Sequence, residues 1–254
     1  MTTRRLTIKL GGAAGAHAAS LAVVAEHAQP GWVVVHGGGG EVGEWSRRIG
    51  IEPRTVDGLR VTDPATLEIA VAVLRGLVNA RLVASLVAAG VPAIGLGGAD
   101  ADLLAAERFD ARLGEVGRVT RVNGPLLERL TDSWVPVVAP IGRGAGSELL
   151  NVNADEVAGA IAAARGGRLL LLTDVPGVLH GDAPLAILSA ERAEAMLADG
   201  SASGGMRPKL RAAITAARAG CTVAIVDGTD SSAVRAALDG MMTGTTVTAA
   251  AGSS

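Results

Sequence analysis

Six short runs of aliphatic and β-branched residues, each closing on glycine, punctuate this chain: LTIKLGG at 6–12, WVVVHGGGG at 32–40, PAIGLGG at 92–98, VPVVAPIG at 135–142, LLLLTDVPG at 169–177 and TVAIVDG at 222–228. Ala-rich stretches with helical spacing of apolar residues lie between them, at 64–89, 154–165, 190–199 and 209–219. Strands that are apolar nearly throughout are buried on both faces. Alternating with helices, they predict the α/β class, with a parallel sheet covered on each side. The segment 100–123 breaks this rhythm and is a candidate for a hairpin.

At 254 residues the chain suffices for one large domain or two moderate ones. A net charge of −2, one Phe, three Trp and no Tyr offer neither a basic surface nor base-stacking rings, so no nucleic-acid partner is expected. Cys221 is the only cysteine, which rules out an internal disulfide or a Cys-based zinc site and suits a reducing cytoplasm. The longest uncharged run, 82–99, is split by Gly90 and Pro92 into a helix end and a strand. The apolar stretch near the N-terminus is too short for a signal peptide, so a chain without a membrane span is expected. The closing TAAAGSS reads as a frayed tail.

Ligands of open parallel sheets collect beyond the carboxyl ends of the strands, where this chain carries most of its glycine clusters. Four consecutive glycines, 37–40, stand where a strand hands over to a helix. Each is costly to order, by roughly 0.5–1 kcal/mol against Ala, so the run needs a local reason. Either a tight turn requires positive φ, or something approaches the backbone more closely than a Cβ allows. The G-x-G-x-x-G and G-x-x-x-x-G-K-[ST] signatures are missing from the places where dinucleotide and P-loop folds need them.

Only two lysines stand among the 23 basic residues. Where Arg fills nearly every cationic position, a retained lysine suggests a compact point charge. Lys9, inside the first strand, is either an edge-strand lysine reaching for solvent or an ammonium directed at an anion. Lys209, in SGGMRPKLRAAI, is either an exposed first-turn residue or a phosphate-directed cation at a helix N-terminus. In NVNADEV, one of Asn151, Asn153 and Asp155 is explained as a helix cap; three alternating polar residues also fit a cleft lining. Arg60, in DGLRVTD, is a surface residue or a clamp for a carboxylate. Thr173 and Asp174 close an apolar strand as a purine or ribose pocket, or simply as its exit. His17 and His36 show no metal-ligand spacing, and no Ser-His-Asp motif is detectable.

Taken in order, IKLGG, VVVHGGGG, DGLRVTD, NVNAD, LLTDVPGVL and SGGMRPK resemble the amino acid kinase family, and within it the members that phosphorylate N-acetylglutamate. The resemblance implies a three-layer αβα sandwich with a mainly parallel central sheet. Residues 1–150 would form an N-terminal lobe for the acyl amino acid and for dimerisation, and 151–254 a C-terminal lobe for ATP, on one continuous sheet. It implies phosphoryl transfer from ATP with Mg2+ to the γ-carboxylate of N-acetyl-L-glutamate, the second step of arginine biosynthesis. The setting would be a cytoplasmic homodimer joined through the helix at 64–89. Arginine-inhibited members carry an additional helix before the first strand; with six residues before Thr7, a dimer insensitive to arginine is expected.

Carried over motif by motif, Lys9 and Lys209 neutralise the phosphoryl group in flight and Asp155 holds both ammonium groups. Amides of Gly12, Gly38 and Gly39 bind phosphoryl or γ-carboxylate oxygens. Arg60 and Asn151 hold the substrate α-carboxylate, with Asn153 beside them. Lys9, Gly11, Thr173, Asp174, Val175, Gly177, Val178, Leu179, Ser201, Ser203, Met206 and Lys209 surround the nucleotide. No protein residue is assigned to the metal, which nucleotide and water would hold. The chain departs from the family at Gly40, where Pro is frequent, and in AAGAH after the first Gly pair. Its GGAAG opening is also similar to kinases acting on α-aminoadipate or glutamate borne by a carrier protein, and a non-catalytic sensor on the same fold is the alternative of a different class.

Overall fold

A computed structural model of the chain describes residues 5–11, 14–56, 59–181 and 183–250, with 14–19 as backbone only. Gly12, expected among the phosphate-binding amides, and the end of the expected tail lie outside the described residues.

Eight strands form one sheet in the order Ile187–Ser189, Thr245–Thr248, Thr222–Asp227, Arg168–Thr173, Leu6–Leu10, Trp32–His36, Val135–Val138, Ala93–Leu96. Pairing is parallel except where Thr245–Thr248 meets Thr222–Asp227, so the sheet is mainly parallel, as the alternating pattern predicts. All six expected strands are present. Lys9 pairs in register with Val35 on one side and Leu171 on the other, which places it in a central strand and excludes the edge-strand reading.

Alternate strand residues feed two cores. Leu6, Ile8, Leu10, Val34, Val137 and Leu170 pack against helices Gly39–Arg48, Pro64–Ala88 and Ser231–Leu238. Val33, Val35, Leu169, Leu171 and Ile225 pack against helices Ala154–Arg165, Ala190–Ala198 and Met206–Arg218. Burial on both faces is what continuous aliphatic strands require, and it gives the three layers. Lys9 points to the second side, toward Ala154–Arg165.

The helix Pro64–Ala88 starts on the Asp63 cap, whose carboxylate accepts the Thr66 N–H at 2.8 Å. Its middle, Val71–Val78, is a π-helical stretch that the sequence did not announce. By length and composition this helix is long and apolar enough to cross a membrane; its Val73, Leu74, Val78, Leu82 and Leu86 are buried in the core. The run 82–99 divides as expected, the helix ending at Ala88 and a strand beginning at Ala93. The candidate hairpin is also present: Leu104–Arg108 pairs antiparallel with Val116–Val122, and with Ile141–Arg143 and Leu149–Val152 they close a small four-stranded barrel.

One boundary differs from expectation. The helix expected from 209 begins at Met206, because Pro208 fits a first turn, where its missing N–H has no acceptor to serve. Lys209 therefore lies a full turn into the helix and is buried. This helix lies close against Ala154–Arg165, since a Cβ on Gly159 would stand 2.8 Å from the Ala212 carbonyl oxygen. That approach, one turn beyond Asp155 and Lys209, brings the two side chains within reach of each other.

Candidate active site

Lys9, Asp155 and Lys209 converge from a strand and two helices. Lys9 Nζ lies 3.0 Å from Asp155 Oδ1, and Lys209 Nζ lies 3.4 Å from Asp155 Oδ2. All three are buried, with 6%, 4% and 9% of their surfaces exposed. The Lys9 contact is a charge pairing without hydrogen-bond alignment, for Asp155 Oδ1 has no hydrogen-bond donor among the described residues. Lys209 also donates to the Gly205 carbonyl at 3.4 Å. Burial pushes the Lys9 pKa down, Asp155 pulls it back up, and Lys209 pushes it down again, leaving it below the ordinary lysine value. One carboxylate thus faces two ammonium groups, a net positive charge in a desolvated place.

Lys9 and Asp155 line a cavity of about 320 Å³, while Lys209 meets the cluster through Asp155 and is not part of the cavity lining. Gly11, Gly37, Gly38, Gly39, Arg60, Asn151 and Asn153 line it together with Lys9 and Asp155. Asn153 is the helix cap, its Oδ1 accepting from the N–H groups of Asp155 and Glu156 at 2.8 and 3.3 Å. Asn151 sits two residues back on its strand and donates to Thr62 Oγ1 at 3.1 Å. One residue caps, as one reading has it, and Asn151, Asn153 and Asp155 all line the cavity, together with the intervening Val152 and Ala154.

The glycine run divides in the same way. Gly38 has φ +144°, and a Cβ there would meet the Leu74 side chain at 2.7 Å, so this position answers to the turn. Gly39 lines the cavity with nothing within 4 Å of a built Cβ, which leaves open backbone facing the space. Gly11 is the other constrained position: its Cβ would stand 2.5 Å from both Lys9 Nζ and the Leu172 carbonyl oxygen.

Arg60 lines the same cavity. Its Nη2 donates to the Gly39 carbonyl at 2.6 Å, while Nη1 is buried without a partner among the described residues. Burial, with Arg47 nearby, lowers its pKa, so an incoming carboxylate would relieve a charge that now lacks one.

The expected nucleotide residues are more dispersed. Thr173 ends the strand beside that of Lys9 and lies at the same carboxyl edge as Gly11, its hydroxyl donating to Asp174 Oδ1 at 3.2 Å. Gly177 and Val178 pack against Thr245, whose Oγ1 accepts the Val178 N–H at 2.8 Å. Leu179 is exposed at the start of a short hairpin. Ser203 lines a separate cleft of about 710 Å³ with Arg112, Arg207 and Arg211. Ser201 donates its N–H to Asp199, and Met206 opens the Lys209 helix. None of Thr173, Asp174, Val175, Gly177, Val178 or Leu179 lines the Lys9 cavity.

Of two further polar groups, Glu156 escaped sequence reasoning and His36 was weighed there only for metal-ligand spacing. Glu156, beside Asp155, accepts the Val119 N–H at 2.6 Å and ties the helix Ala154–Arg165 to the hairpin; burial raises its pKa. His36, fully buried, meets Asn79 at 3.1 Å. The only local signal for either was a polar residue beside an apolar run.

A profile described as the Amino acid kinase family matches residues 4–227. The chain is 50% identical over 207 residues to an acetylglutamate kinase of Methanopyrus kandleri, covering 76% of this chain and 84% of that one. It is 45% identical over 253 residues to an acetylglutamate kinase of Rubrobacter xylanophilus, covering 96% and 97%. Among solved structures, smu.665 from Streptococcus mutans UA159 matches with a TM-score of 0.81 at 28% identity, over 97% of this chain and 99% of that one.

Proposed function

The chain belongs to the amino acid kinase family, and from that membership we infer that it phosphorylates the γ-carboxylate of N-acetyl-L-glutamate with ATP, a step of arginine biosynthesis. The observation that carries this reading is the pair of buried ammonium groups on the two oxygens of Asp155, with Lys9 and Asp155 lining a cavity that Arg60, with an unpartnered guanidinium nitrogen, also lines.

A γ-carboxylate is ionised at neutral pH, with an ordinary pKa of about 4.3, so it needs no general base. The difficulty is electrostatic, because an anion must approach the triphosphate. A carboxylate oxygen bonds to the γ-phosphorus while the bond to the β,γ-bridging oxygen breaks, and that oxygen keeps the electron pair in ADP. Charge spreads over the three transferring oxygens, and positioning with charge neutralisation supplies most of the catalysis. Lys9 and Lys209 take up that charge, and Asp155 fixes both ammonium groups before substrate arrives. Gly38 and Gly39 present N–H groups to phosphoryl or carboxylate oxygens, each donor worth about 2.7–4 kcal/mol when preorganised. Arg60, with Asn151 and Asn153, receives the α-carboxylate end.

The nucleotide would lie over the carboxyl ends of the C-terminal strands, from Gly11 and Thr173–Leu179 toward Ser201–Lys209, and residues 1–150 would hold the acyl amino acid. Among the described residues no group of three or more His, Cys, Asp or Glu gathers around a point. The kinase reading calls for a magnesium ion held chiefly by phosphate oxygens and water, which would offset triphosphate charge. We place the enzyme in the cytoplasm as a homodimer joined through Pro64–Ala88.

The test is an assay of purified protein with ATP and either free N-acetyl-L-glutamate or carrier-bound glutamate or α-aminoadipate, trapping acyl phosphate with hydroxylamine. Trapped product from free N-acetyl-L-glutamate supports this reading. Turnover with the carrier-bound substrate alone, or with none, overturns it.

A further inference from the structure

His36 ends the second strand one residue before the glycine run and is fully buried. Its Nδ1 lies 2.7 Å from the carbonyl oxygen of Gly37. Its Nε2 lies 3.1 Å from Asn79 Nδ2. The direction of that second contact follows from the surroundings of Asn79. The Asn79 Nδ2 donates to the Val137 carbonyl at 2.9 Å, and Oδ1 accepts from Arg75 Nη1 at 3.5 Å. The amide nitrogen therefore faces His36, so Nε2 is the acceptor and Nδ1 carries the proton. Room for this amide exists because residue 95 is Gly: a Cβ there would collide with Asn79 Oδ1.

The proton on Nδ1 has a consequence for the loop. In a trans peptide the C=O and N–H point to opposite sides, and no described peptide is cis. Holding the Gly37 carbonyl toward the imidazole therefore turns the Gly38 N–H away from it, and Gly38 lines the Lys9 cavity. The peptides on either side are held by backbone hydrogen bonds, the Gly37 N–H to the Leu10 carbonyl at 3.2 Å and the Val42 N–H to the Gly38 carbonyl at 3.0 Å, and the imidazole holds the carbonyl of the peptide between them.

We infer that His36, as its neutral Nδ1–H tautomer enforced by Asn79, holds the Gly37 carbonyl and thereby aims the Gly38 N–H at the transferring phosphoryl group. His36 is a positioning residue, touching neither substrate. The inference rests on the kinase reading above, because it needs charge to develop in front of Gly38. Preorganisation of this kind acts on the transition state, so its loss lowers kcat and leaves KM nearly unchanged.

Two substitutions separate the two ring nitrogens. In His36→Asn the side-chain NH2 stands where Nδ1 stood and can still donate to the Gly37 carbonyl. In His36→Gln the amide reaches the place of Nε2, and the short donor is lost. His36→Gln is expected to lower kcat roughly tenfold or more, with loss of a whole donor, about 10²–10³, as the upper bound. His36→Asn is expected to keep most of the turnover, and both are expected to keep KM for both substrates within a few-fold. Unchanged kcat in His36→Gln, or an equal loss in both variants at native melting temperature, overturns the inference. Should neither variant fold, 15N-resolved NMR of the wild-type imidazole decides: Nδ1 protonated supports it, and Nε2 protonated overturns it. A wild-type protein without turnover on N-acetyl-L-glutamate would instead strike the kinase reading, and the tautomer measurement stands apart from that outcome.

Discussion

Lys9 and Lys209, 200 positions apart in the chain, share one carboxylate, at 3.0 Å and 3.4 Å from its two oxygens. Two positive charges and one negative charge in a buried place leave a surplus of one. Such a surplus opposes folding and awaits an anion, which is the electrostatic condition of a site that takes up a phosphoryl group in transit.

Replacing Asp155 by Asn removes the only influence that raises the Lys9 pKa, leaving burial and Lys209 to push it down. In the proposed reaction Lys9 acts as an ammonium, so kcat is expected to fall as pH rises through its pKa. In Asp155→Asn that alkaline fall is expected at lower pH, with kcat reduced roughly 10²-fold at neutral pH. A pH–kcat profile checks this, and an alkaline limb that stays in place would contradict it.

The same depressed pKa makes a stability statement. Between the folded-state pKa and the unfolded value of about 10.4, the unfolded chain binds more protons than the native one, so wild-type stability rises with pH across that window. Lys9→Met lacks the rise and still leaves Asp155 paired with Lys209. The variant is expected to melt at or above the wild-type temperature at neutral pH, with the gap closing as pH approaches about 10.4. A clear loss of melting temperature would count against the surplus-charge account.

Glycines of the same chain should respond oppositely to one methyl group. Gly11→Ala drives a Cβ to 2.5 Å from Lys9 Nζ and a backbone oxygen. It is expected to lose about 1–3 kcal/mol of stability together with most turnover. Gly40 lies inside the helix Gly39–Arg48 with nothing within 4 Å of a built Cβ. Gly40→Ala is expected to be neutral or to stabilise by about 0.4–1 kcal/mol. Denaturant melts of both variants give the comparison.

The strands and most helices were legible because aliphatic runs and helical spacing are local properties, and a lysine inside such a run announces Lys9. The burial of Lys209 was not legible, since it depends on a helix starting at Met206 and on the close approach of Gly159 to Ala212. The link from His36 to Asn79, 43 residues apart, exists only once the long helix lies under the sheet. The π-helical stretch Val71–Val78 has no signature in residue type, because it follows from packing rather than propensity. Thr173–Leu179 carried motif information, and the structure leaves them out of the Lys9 cavity lining, with Thr173 at the carboxyl end of a central strand and Leu179 in a short hairpin.

Arg60 is expected to act on binding. Its planar fork, with Nη2 committed to Gly39 and Nη1 unpartnered, suits a two-point grip on a carboxylate that an ammonium reproduces poorly. Arg60→Lys should raise KM for N-acetyl-L-glutamate roughly tenfold to a hundredfold, equivalent to about 1.5–3 kcal/mol for a charged hydrogen bond. The KM for ATP should stay near wild type, and initial rates over both substrates would expose any other pattern.

The most direct measurement is steady-state turnover of Lys9→Ala and Lys209→Ala beside wild type, with ATP and N-acetyl-L-glutamate both varied. The account predicts that kcat falls roughly 10²-fold or more in each, while the two KM values move far less. Wild-type kcat in both variants would contradict it.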